Sequence, residues 1–63
     1  MDDEITDQDR KEAKVLSTLP RDEQKLVVTL ILKQAKNRQM TAEDRHEALR
    51  RGNALRRLLR LKL

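Results

Sequence analysis

Cysteine is absent from this sequence, and so are phenylalanine, tyrosine and tryptophan. The first absence excludes disulfides and thiolate metal ligands. The second leaves the core to Leu, Val, Ile and Ala, each large aliphatic side chain contributing roughly 1.5–3 kcal/mol when fully buried. A single histidine cannot build a His-based metal site within one chain, and a single glycine rules out a Gly-rich phosphate loop. No metal or cofactor is expected. No apolar run approaches the roughly 20 residues that span a bilayer. The opening MDDE is opposite in sign to the basic start of a secretion signal. A cytoplasmic protein is the expectation.

What is there is charge. Charged residues make up 41% of the 63 positions, which leaves room for one small domain, residues 1–63, and no second core. The net charge of +4 is polarised along the chain. Residues 1–12 hold six acids and two bases, residues 13–36 two acids and five bases, and residues 37–63 three acids and eight bases. An acidic end and a basic end so arranged meet different things, or each other. A domain this small is marginal alone and borrows stability from disulfides, metals or association. With the first two excluded, self-association remains, and a homodimer is expected.

The one nearly uninterrupted apolar stretch is LVVTLIL, residues 26–32, and the chain reads as organised around it. Its β-branched content would suit a strand, but its flanks predict a helix over residues 20–36. Pro20 suits the first helical position, Asp22 and Glu23 complement the positive end of the dipole, and Lys33 and Lys36 the negative end. Projected at about 100° per residue, Lys25, Thr29, Lys33 and Lys36 share one narrow strip with Asp22 beside it. Apolar side chains cover most of the remaining circumference, more than one antiparallel neighbour can bury. The interface between copies is accordingly assigned to Leu26, Val28, Leu30 and Leu32, with Leu55 and Leu59 from the last helix.

Residues 1–5 are expected to fray. Thr6 reads as an N-cap with Asp9 three residues on as the acid of a capping box, starting a helix over residues 7–18. Ile5, Val15, Leu16 and Leu19 share its apolar face, which Gln8 and Glu12 interrupt. Residues 37–40 form a polar connector short enough to force an antiparallel return. Thr41 caps a third helix, with Glu43 and Asp44 in its first turn. Ala48, Gly52, Leu55 and Leu59 stay in phase across the glycine, so one helix is predicted over residues 42–62, Gly52 admitting a close neighbour. The fold class is therefore all-α: a bundle of two to three helices around an antiparallel hairpin, completed by homodimerisation.

The basic run RRGNALRRLLRLKL carries the strongest functional signal. Arg50, Arg56, Arg57 and Arg60 form an arc beside the leucine face, with Arg51 and Lys62 at its other edge. Arginine presents a planar fork of donors suited to phosphate oxygens, and such an arc can lie along a nucleic-acid backbone. Glu43, Asp44 and Glu47 are expected at the opposite end of the helix, leaving the arc unneutralised. The leading expectation is a small regulatory protein that binds nucleic acid through these six cations. The alternative is a protein-interaction module (adaptor, antitoxin-like or anti-activator) that docks its leucine-rich helix through Leu58 and Leu61. Membrane-surface binding is disfavoured, because no Trp or Phe can anchor at the interface.

Other constellations are weaker. A helix-turn-helix would place Thr41, Glu43, Arg45 and His46 against bases, but its turn lacks glycine and phosphates would repel the two acids. His46 has neither a nucleophile nor an orienting partner at useful spacing. Asp2, Asp3 and Glu4 lack the alternation and glycine of a calcium loop. An enclosed pocket for a small-molecule substrate is beyond so small an aliphatic core, so no enzyme is expected.

Overall fold

The computed structural model describes residues 5–63, and these form three α-helices and no strand. The expected fraying of residues 1–4 lies outside the described residues, while Ile5 is half-buried rather than frayed. Helix α1 is Asp7–Leu16, α2 is Arg21–Gln34 and α3 is Ala42–Leu58.

The first helix starts as its capping box dictates. The Asp9 N–H donates to Thr6 Oγ1 at 3.1 Å, and the Thr6 N–H returns a bond to Asp9 Oδ2 at 3.0 Å. It ends two residues before the expected Thr18. There the Ser17 and Thr18 hydroxyls donate to the carbonyls of Lys14 and Val15 at 2.6 and 2.7 Å, satisfying acceptors that the helix end leaves open.

Pro20 stands one position earlier than expected, as the N-cap of α2. Its ψ of 152° is extended, and a proline ring offers no side-chain acceptor for the first-turn N–H groups. Gln24 reinforces the corner instead. It is 4% exposed, donates from Nε2 to the Leu19 carbonyl at 2.9 Å, and accepts from Arg21 at 3.1 Å. At the far end Ala35, Lys36 and Asn37 turn to i−3 carbonyls, which tightens the last turn and stops α2 short of Lys36.

Thr41 caps α3, accepting from the Asp44 N–H at 3.1 Å. The helix continues through Gly52 as its in-phase apolar face requires. A Cβ at Gly52 would collide with Leu32 Cδ2 and come within 2.7 Å of Leu32 Cγ, so the glycine sets the distance between α2 and α3. The helix ends four residues before the expected Lys62. The Leu61 N–H donates to the Arg56 carbonyl and the Arg60 N–H to that of Arg57, with Arg60 left-handed at φ 55°. That bond pair is the usual stop for a helix, with an arginine where glycine is the common choice.

The centre of the molecule is α3, not the apolar stretch of α2. Both α1 and α2 pack on α3, and they touch each other little. Val28, Ala54 and Leu55 are fully buried, and Val28 and Leu55 join Ala13, Leu59 and Leu61 in one cluster bordered by Leu16, Ile31, Leu32 and Leu58. Arg21 Nη1 at the start of α2 donates to the Leu59 carbonyl at 2.8 Å, and its Nη2 to that of Arg60 at 3.1 Å. Those bonds at one end and the Gly52–Leu32 approach at the other make α2 and α3 an antiparallel pair. The richness of α2 misled because only one of its faces is covered. Leu26 and Leu30 remain 59% and 49% exposed.

Candidate nucleic-acid interface

The six cations assigned to phosphate divide into two groups. Arg50 is drawn inward. Its Nη1 lies 2.6 Å from Asp9 Oδ2, and its Nη2 2.7 Å from Glu47 Oε2. Arg51 pairs with Glu12 at 2.7 Å. Two acids of the first helix, Asp9 and Glu12, thus neutralise the middle of α3, and Glu47, one turn before Arg50, does the same from within it. Arg50 and Arg51 are therefore engaged by carboxylates, contrary to an unneutralised arc.

Asp9 explains the geometry. It is fully buried, so burial pushes its carboxyl up. The hydrogen bond from Arg50, the bonds with Thr6 and the nearby guanidinium charge outweigh that and hold it below the usual carboxylate range. The Arg50 hydrogen bond likewise lowers Glu47, and the bonds to Glu47 and then Asp9 raise Arg50. One carboxylate therefore caps α1 and ties it to α3.

Arg56, Arg60 and Lys62 lie beyond this network. Arg57, Arg60 and Lys62 are exposed and Arg56 is half-buried. Among the described residues no carboxylate lies within ion-pair distance of Arg56, Arg60 or Lys62. After the left-handed turn at Arg60 the chain leaves the α3 axis, buries Leu61 and crosses to α2. Leu63 there borders a shallow depression of about 280 Å³ with Thr29, Leu32, Lys33 and Lys36. Lys33 and Lys36, part of a lysine strip legible in the α2 projection but not assigned to any site, thus flank the end of the tail.

The residues assigned to association and docking divide as well. Val28, Leu55 and Leu59 are buried within the chain, Leu32 is half-buried over Gly52, and only Leu26 and Leu30 are exposed. Of the docking leucines, Leu61 is 4% exposed and Leu58 packs against the core. Arg45, Glu43 and His46 stand on the first turns of α3, with Arg45 Nε buried and without a hydrogen-bond partner. No group of three or more His, Asp or Glu among the described residues is placed to hold a metal ion, and no helix is long and apolar enough to cross a membrane.

Sequence reasoning missed Asp9 as an interhelical partner and Gln24 as a buried corner. The signal for the first was present in the opposite charges of the two chain ends. Nothing in the residues alone distinguished Gln24 from a solvated glutamine. No family model matches this chain, and no curated protein or solved structure does either, so its own residues and geometry carry the reading.

Proposed function

We propose that this protein is a small, non-catalytic regulator that binds a nucleic-acid backbone as a homodimer in the cytoplasm. The observation that supports the reading is that Arg56, Arg60 and Lys62 have no carboxylate partner among the described residues, while Leu63, next to Lys62, borders Lys33 and Lys36 of α2. Phosphate contact releases counterions from the nucleic acid, and mixed Arg and Lys side chains suit its backbone. The competing docking of a leucine-rich α3 is less favoured, since Leu55, Leu59 and Leu61 are already buried.

The test is binding to arbitrary duplex DNA and to single-stranded RNA over a salt series. Affinity for at least one should fall steeply with salt, with little dependence on sequence. Absence of binding even at low salt rejects the proposal.

A further inference from the structure

We infer that the exposed ridge of α2 pairs with the same ridge of a second copy, antiparallel and about a two-fold axis level with Val28. The inference rests on the homodimer reading above and assigns its surface and register.

Leu26 and Leu30 are among the most exposed large apolar side chains of the described residues, and they lie one turn apart on the outward face of a helix whose inner face is occupied by α3. Acids and bases bracket them: Asp22 and Glu23 in the first turn, Lys33 in the last, all exposed. A partner for this ridge needs apolar side chains at its middle and the reverse order of charge. An antiparallel second copy has both. Around an axis at Val28, Leu26 faces Leu30 of the partner subunit, and Glu23 faces Lys33 of the partner subunit, with Asp22 one position away. Each of these pairs occurs twice. A parallel pairing would set acids against acids and Lys33 against Lys33 of the partner subunit, which opposes association.

The same symmetry unites the pair with the basic surface. On the α2 projection Lys25, Thr29, Lys33 and Lys36 lie to one side of the ridge and Val27 to the other. An antiparallel two-fold keeps like sides together, so the two lysine strips come to one face of the dimer. The groove between α1 and α2, lined by Val15, Leu16 and Val27, falls on the other side.

Sedimentation over a concentration series tests this with variants at exposed positions, their helicity followed in parallel. Wild type should be dimeric, and Leu30→Asp monomeric with helicity retained. Lys33→Glu should weaken the dimer at least about tenfold, and adding Glu23→Lys to it should restore most of that loss. A wild-type chain that stays monomeric overturns both the homodimer reading and this inference. A Leu30→Asp variant that still dimerises overturns the ridge alone, leaving another homodimer surface to be found. Failure of Glu23→Lys to rescue Lys33→Glu overturns the antiparallel register.

Discussion

Arg50 and Arg60 lie on neighbouring stretches of one basic run and meet opposite fates. Arg50 is 81% withdrawn from solvent at its side chain, given its 19% exposure, and is held by two carboxylates, one of them buried in another helix. Arg60 is exposed, left-handed and beyond the end of α3. The difference lies in what packs alongside. The first helix brings Asp9 and Glu12 to the middle of α3, whereas no carboxylate of the described residues pairs with Arg56, Arg60 or Lys62. A run of arginines is thus a candidate phosphate surface only after the acids folded against it have been subtracted.

The largest effect should come from removing the support both regions share. Val28 is fully buried against Leu55 and its neighbours, so Val28→Asp places an unpaired carboxylate in the core. It should unfold the chain, with loss of the far-UV helical signal and of binding together. The reason is the core within a single chain rather than a seam between copies.

Asp9→Asn separates the regions. It removes the buried anion that holds Arg50, and should cost about 2–4 kcal/mol in a denaturant titration, somewhat less than an isolated buried pair because Glu47 remains. Affinity per folded molecule should change little. The pH dependence has a definite sign. The native Asp9 carboxyl lies below its ordinary value of 3.8, so the native state binds fewer protons there than the unfolded state. The stability this confers is present above about pH 4 and is lost as pH falls through the native value. Asp9→Asn should flatten that acid limb of the stability curve.

Overpacking sharpens the geometry that both regions depend on. Gly52→Val would drive a branched side chain into Leu32, widen the α2–α3 contact and cost about 1–3 kcal/mol. The smallest effect has the opposite sign. Arg60→Gly relieves a left-handed non-glycine residue and should stabilise by roughly 0.5–1 kcal/mol, the greater freedom of glycine in the unfolded chain offsetting part of the gain. The same variant should weaken polyanion binding. A gain in stability beside a loss in binding would mark Arg60 as a residue held against local preference by its role.

The helices were legible because their starts are chemically explicit. Thr6 with Asp9, Thr41 with Asp44, and Pro20 before two acids each satisfy or complement the first-turn N–H groups. Gly52 was legible as a close approach through the phase of its neighbours. The helix stop at Arg60 was not, because a left-handed arginine gives no composition signal and the leucine pattern runs on past it. Nor could the sequence say which flank of α2 would be covered, since Leu26, Val28 and Leu30 have similar hydrophobicity. Their burial is decided by the direction from which α3 approaches. The division of the arginines depended on α1, whose weak amphipathicity concealed that its acids are its tertiary contacts.

The proposed division, with Arg56, Arg60 and Lys62 serving phosphate and the mid-α3 cations serving the fold, can be probed through the salt dependence of polyanion affinity in two variants. One changes Arg56, Arg60 and Lys62 together to Ala, and the other changes Arg51 to Gln. The triple variant should stay folded and lose about 2–3 phosphate contacts from the slope of log affinity against log salt, while Arg51→Gln should leave the slope of wild type. Equal slopes for wild type and the triple variant, or a slope lowered by Arg51→Gln alone, would contradict it.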